Sequence, residues 1–295
     1  MGRGSYVLVG YDGTKQSAYA VGWAATEARL RRLPLTVVHS WHWPYSISHI
    51  DYEGAATVKR MGRHILDRGV ALAERSAPGV RITGRLMDGP AYAALLAAGD
   101  DAEVIVIGSH EQARLPVAST ALHLPARAHR PVVVVRGPTA GHRRVVAGVD
   151  GSPGGDAALA FAFEQAALRG WSLLAVYGCW EPGAVPREEL DMFHDDDKLK
   201  RVCGARLERA VAPYRVRYPQ VDAWTSLVLD PPREALFDAA DSADLVVVGN
   251  RGRGTVDPLL LGATSSALLQ HAPCSVAVVQ PLFAGEGGTG EDQPA

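Results

Sequence analysis

Short apolar runs alternate with amphipathic segments along the whole chain. In the second half VVAGVD (145–150) reads as a buried strand, DAALAFAFEQAALRG (156–170) carries apolar residues at helical spacing, and SLLAVYGCW (172–180) is strand again. The long polar stretch 187–214 predicts a helix. WTSLVLD, PREALFDAADSA and DLVVVGN then supply strand, helix and strand, followed by a glycine-rich loop, a helix through SSALLQHA and a last strand, SVAVVQ. Such alternation predicts a parallel sheet covered by helices on both faces, with ligands beyond the carboxyl ends of the strands.

The same pattern occurs twice. Residues 6–41 line up with 144–180, setting Asp12 over Asp150 and Trp41 over Trp180. Residues 85–109 match 227–250, and the halves close alike, with AHRPVVVVR and HAPCSVAVVQ. The chain is a tandem duplication joined near 137–144. The expected domains are 1–138 and 143–283, and 284–295 is expected to be a disordered tail. The closing strands are short, apolar and expected at sheet edges, where they should pair with each other antiparallel. That makes the chain an internal pseudo-dimer, with a homodimer of chains as a further expectation.

Composition adds limits. The 295 residues are 47% hydrophobic and 21% charged, enough for two globular domains. The first 140 residues carry 16 basic and 11 acidic side chains, the remainder 14 and 21, giving +5 and −7. No basic footprint for nucleic acid results. No stretch reaches the length of a membrane span and the start lacks a secretory apolar region, so a cytoplasmic location is expected. The three cysteines, Cys179, Cys203 and Cys274, suggest neither a disulfide framework nor zinc.

The candidate chemistry lies between the strand LVVVG and the following helix. Gly249, Gly252, Gly254 and Gly262 occur there, where backbone N–H groups and a positive helix terminus collect an anion. Glycine tolerates positive φ and lets a ligand approach without a Cβ in the way. Arg251 and Arg253 can counter charge, and Thr264 and Ser265 carry hydroxyls. Neither the P-loop pattern nor GxGxxG is completed. Asp150, at the end of the half's first strand, points to the same crevice. His271 and Cys274 have a ligand-like spacing, but the first half keeps His129 and Pro131 in the matching place without the cysteine, so His271 reads as a helix-terminal histidine before a proline stop; Asp195, Asp196 and Asp197 read as a solvated face. No metal site is expected.

Gly249-x2-Gly252-x9-Gly262 followed by Ala263-Thr264-Ser265, with GVDGS at the first strand and HAPCSVAVV at the last, resembles the universal stress protein family, in its tandem two-domain form and ATP-binding branch. The resemblance implies five-stranded Rossmann-like domains and ATP, with Mg as a possible companion, as the bound cofactor. It implies that Val149, Asp150 and the backbone at Gly178 meet adenine and ribose. Gly249 and Gly252 would approach ribose and phosphate, and Gly262, Ala263, Thr264 and Ser265 would hold the phosphates. Ala263 stands where the family usually has serine or threonine.

The first half keeps Asp12, Ser40 and Gly108 as weaker counterparts, but Glu111 replaces the second loop glycine and about Thr120 the third, in a loop one residue shorter. A carboxylate aimed at phosphates repels them. No nucleophile elbow, zinc-protease motif or loop lysine is present, so the expected chemistry extends at most to slow ATP hydrolysis or autophosphorylation. The implied role is a nucleotide-dependent regulator in stress response or growth arrest. A nucleotide-free scaffold and an adenine-nucleotide hydrolase are the alternatives.

Overall fold

A computed structural model describes residues 5–43, 51–109, 119–179, 196–252 and 261–281. The first half runs β1 (Tyr6–Gly10), α1 (Lys15–Arg31), β2 (Leu35–Trp41), α2 (Tyr52–Ser76), β3 (Ile82–Asp88), α3 (Ala91–Gly99), β4 (Ala102–Gly108), α4 (Thr120–Arg127) and β5 (Val132–Val135). The second runs β6 (Arg144–Gly148), α5 (Pro153–Arg169), β7 (Ser172–Gly178), α6 (Asp196–Arg217), β8 (Ala223–Val228), α7 (Pro232–Ala240), β9 (Leu245–Gly249), α8 (Ala263–His271) and β10 (Ser275–Val279). Of the helix expected at 187–214, the part before Asp196 lies outside the described residues, as do Trp180, Asp195 and the tail.

Within each half the strands are parallel, as their near-continuous Val, Ile and Leu runs require for strands buried on both faces. The halves join into one ten-stranded sheet of order β3-β2-β1-β4-β5-β10-β9-β6-β7-β8. At its centre β5 and β10 pair antiparallel, with Val134 opposite Val276 and Val132 opposite Val278, so the two apolar edges cover each other. The expected pair of Rossmann-like domains and their edge-to-edge pairing are both present.

Helices α1, α2, α5 and α6 cover one face and α3, α4, α7 and α8 the other. Phe163 of α5 is fully buried on the first face and stacks on Tyr214 and Tyr218, with ring centroids 5.4 and 6.0 Å away. Two polar exchanges lock the seam. Arg136, just past β5, donates to the Leu268 and Leu269 carbonyls at the end of α8. Gln280, just past β10, donates to Ala126 O of α4 at 3.3 Å. The buried Asp244 carboxylate accepts from the Gly141 and Arg143 amides, tying the linker to the second half.

The strand registers correct two details of the repeat. Leu35 and Leu173 hold equivalent places beside β1 and β6, so Cys179, not Trp180, corresponds to Trp41. Val135 and Val279 likewise correspond, beside Gly108 and Gly249. His271 therefore matches Arg127, the last residue of α4, while His129 lies beyond that helix's C-cap, Ala128. Both helices still end on a basic residue, as the helix dipole favours.

Candidate functional site

The second half reverses strand order between β6 and β9: the chain runs outward through β7 and β8, then returns to the other side of β6. The crevice at the carboxyl ends of these two strands is the switch point of the fold. Asp150 stands there, two residues past β6. Its Oδ1 accepts from the Ser152 amide at 2.9 Å and the Ser152 hydroxyl at 2.6 Å, while that hydroxyl accepts from Gly155 N at 3.0 Å and caps α5. One Asx turn thus fixes the carboxylate and starts the helix.

Gly249, at the end of β9, and Gly252, just past it, sit at close approaches. None of Gly249, Gly252 and Gly262 has positive φ, so the expected left-handed conformation is not their reason; among the described glycines that conformation occurs at Gly151 and Gly170, for example. A methyl group on Gly249 would fall 2.6 Å from the carbonyl carbon of Gly154, which belongs to the first turn of α5. One on Gly252 would fall 2.6 Å from Asp150 Oδ2, so the loop after β9 lies against the carboxylate after β6. Gly262 is different: its nearest surroundings would be ordinary contacts at 3.5 Å and beyond. Gly262 N donates to Asn250 O at 2.8 Å, closing the loop on itself.

Gly262 is also the N-cap of α8, and it offers no side-chain cap. The first intrahelical bond runs from Ser266 N to Gly262 O, so the amides of Ala263, Thr264 and Ser265 have no partner within the helix. The Ser265 hydroxyl, buried, donates to Gly249 O at 2.6 Å and is committed to the fold. Thr264 is half-buried, and the exposed Ala263 lines an open groove of about 540 Å³ between α7 and α8 with Arg233, Phe237 and His271.

Other candidate residues sit at the margin. Val149 is buried and its amide donates to Val176 O at 2.9 Å. A methyl on Gly178 would fall 2.5 Å from Pro232 Cα, so this glycine admits the β8–α7 turn. Arg251 is half-buried beside Gly252, and Arg253 lies outside the described residues. Sequence reasoning missed Ser152, Gly154 and Gly155; the signal was Pro153-Gly154-Gly155, poor helix formers set at the start of a helix. Burial raises the Asp156 carboxyl above its ordinary range, and the charge of Asp150 adds to the effect.

The first half builds the same turn with different contents. Asp12 Oδ1 accepts from Thr14 N at 3.0 Å and Thr14 Oγ1 at 2.6 Å. Burial works against its charge, yet hydrogen bonds from Thr14 and Ser17 hold this carboxyl below the ordinary value. A methyl on Gly108 would fall 2.6 Å from the carbonyl carbon of Gln16, repeating the relation of Gly249 to Gly154. Half-buried Ser40 occupies the place of Gly178. The N-cap of α4, however, is Ser119, whose hydroxyl accepts from Ala121 N at 3.2 Å. The counterpart of Gly262 is therefore Ser119, not Thr120, and Glu111 lies outside the described residues.

Both halves of the chain match one known family. The Universal stress protein family matches residues 6–136 and again 141–280. The chain belongs to the universal stress protein family. A universal stress protein of Mycobacterium tuberculosis is 32% identical over 290 residues, spanning 93% of this chain and 96% of the relative. One from Mycolicibacterium smegmatis is 30% identical over 293 residues, spanning 93% and 97%. The crystal structure of a universal stress protein from Archaeoglobus fulgidus shares the fold with a TM-score of 0.67 at 17% identity, covering 95% of this chain and all of that one. A universal stress protein solved in complex with cAMP aligns with 46% of this chain, at a TM-score of 0.38 and 21% identity. Among the described residues of this universal stress protein, no helix is long and apolar enough to cross a membrane.

Proposed function

We propose that the second half of this universal stress protein binds an adenine nucleotide, ATP, and that occupancy makes the chain a nucleotide-dependent regulator in stress response or growth arrest. The observation that carries the reading is the uncapped start of α8 at the switch point, beside a loop whose Gly252 leaves room at Asp150. The amides of Ala263, Thr264 and Ser265 suit phosphate oxygens, and Arg251 supplies positive charge beside them. Asp150 suits the hydroxyl donors of a ribose. Mg, if it accompanies the nucleotide, would be held chiefly through the phosphates.

In the first half the same helix end is closed by the chain's own Ser119, which supports nucleotide in one half only. A bound ligand alters partner choice when it binds one state of the protein better than another. Mass spectrometry of what the gently denatured chain releases, together with calorimetric titration of ATP into the full chain, tests this reading. About one adenine nucleotide per chain is expected. No binding, or two equivalent sites, contradicts it.

A second reading, a nucleotide-free scaffold, draws on Gly249 and Gly178, whose lack of a side chain is accounted for by packing alone. It leaves the bare start of α8 unexplained.

A further inference from the structure

We infer that the seam between the halves accepts only an unlike half, because the buried contact of Glu27 with Gln165 holds one carboxylate where a pairing of like halves would bring two or none.

The β5–β10 pairing cannot supply that selectivity. Its bonds are between backbones, and both strands are short, valine-rich and buried, so either edge would accept a copy of itself. The side chains beneath it differ. The offset that carries Asp12 to Asp150 also carries Glu27 to Gln165, Arg31 to Arg169 and Thr26 to Glu164. Helices α1 and α5 bring these equivalents together across the seam.

Glu27 and Gln165 are both fully buried, and Gln165 Nε2 donates to Glu27 Oε1 at 2.6 Å. Arg31 donates to the same oxygen at 2.6 Å, and Arg169 donates to Glu27 Oε2 at 2.6 Å and, through Nε, to Gln165 Oε1 at 3.0 Å. The amide of Gln165 is therefore used at both ends. Arg31 turns its remaining donors to Glu164 of the other half, at 2.8 and 2.9 Å, and to Glu103 of β4 at 3.3 Å. The Arg169 guanidinium lies 4.5 Å from the centroid of the Trp23 ring and 5.3 Å from that of Trp171.

Two first halves in this arrangement would set Glu27 against Glu27 and lose the Glu164 fork, since Thr26 stands in its place and bonds its own helix at Gly22 O. Two second halves would set Gln165 against Gln165 with no buried carboxylate at the centre, so each Arg169, standing in the place of Arg31, would keep only the partly exposed Glu164 of the other half. A buried guanidinium that loses its buried carboxylate is costly, and two buried carboxylates in contact repel, so either like pairing is disfavoured. A second copy of the chain can use this surface only by exchanging halves.

Full-length variants test the inference. Gln165→Glu creates the contact of two first halves, Glu27→Gln that of two second halves, and Glu27→Gln/Gln165→Glu restores one of each. At pH 8 each single substitution is expected to lower the melting temperature by about 5 °C or more, with the double recovering over half of the larger loss. If Gln165→Glu does not fold, a folded double variant supports the inference and an unfolded one overturns it. A double variant that melts as low as the worse single, or a Gln165→Glu protein within a degree of the parent at pH 8, also overturns it.

Discussion

Gly249 and Gly154 meet back to back, the end of β9 against the first turn of α5, with 2.6 Å between a methyl placed on Gly249 and the carbonyl carbon of Gly154. Because the obstacle is backbone rather than a movable side chain, Gly249→Ala must displace the start of α5 and with it the Ser152–Asp150 turn. A loss of about 1–3 kcal/mol of stability is expected, the range of overpacked core sites, and a denaturant melt measures it. Gly108→Ala meets the same obstacle at Gln16 and should cost a similar amount.

Arg32 ends α1 in the left-handed conformation, at φ 57°, where its counterpart Gly170 ends α5 at φ 63°. A side chain in that region is strained, and Arg32 is exposed, so little packing offsets the strain. Arg32→Gly is expected to stabilise the chain by up to about 1 kcal/mol in the same assay. A loss of stability would contradict this view of the cap.

Asp12 gives a pH signature. Its carboxyl is held below the ordinary value in the folded chain, chiefly by the Thr14 and Ser17 hydrogen bonds prevailing over burial. The stability it contributes is therefore present above the unfolded value and is lost as pH falls through the folded one. Carbon-detected NMR titration should find Asp12 protonating at lower pH than a free aspartate, and Thr14→Val should move that midpoint upward. A midpoint unmoved by Thr14→Val would be against it.

Cys274 is half-buried, and burial pushes its thiol up to about 12, with nearby Arg136 acting in the opposite direction. At pH 8 the thiolate that reacts is scarce. Iodoacetamide should modify Cys274 much more slowly in the folded chain than in the denatured one, as read by mass spectrometry of peptides. Equal rates would contradict the buried setting.

Much of this architecture is legible in the sequence because its signals are local or repeated. Runs such as Leu245–Gly249 announce buried strands, Asp12 and Asp150 recur just past the first strand of each half, and two valine-rich closing strands predict their own pairing. What was not legible depends on contacts between distant positions. Nothing near Glu27 in the chain announces Gln165, 138 residues later, as its hydrogen-bond partner. Gly249 reads as a ligand-facing glycine, and its close packing on Gly154 is visible only in the fold. The mismatch of His129 with His271 arises because Pro131 directly precedes Val132, whereas Cys274 and Ser275 separate Pro273 from the equivalent Val276, a two-residue shift that the shared His-x-Pro spacing hides.

The central claim, that the bare start of α8 receives the nucleotide's phosphates, is tested most directly by ATP titration and thermal melting of Gly262→Asp. Position 262 has ordinary dihedrals and room for a Cβ, and aspartate is a favoured N-cap, so the variant should melt at or slightly above the parent's temperature. Its carboxylate would occupy the first-turn amides and face the incoming phosphates, where two unit charges about 4 Å apart repel by roughly 4 kcal/mol at an effective dielectric of 20. ATP affinity should therefore fall by about a hundredfold or more. A folded Gly262→Asp protein that binds ATP as tightly as the parent would contradict the claim.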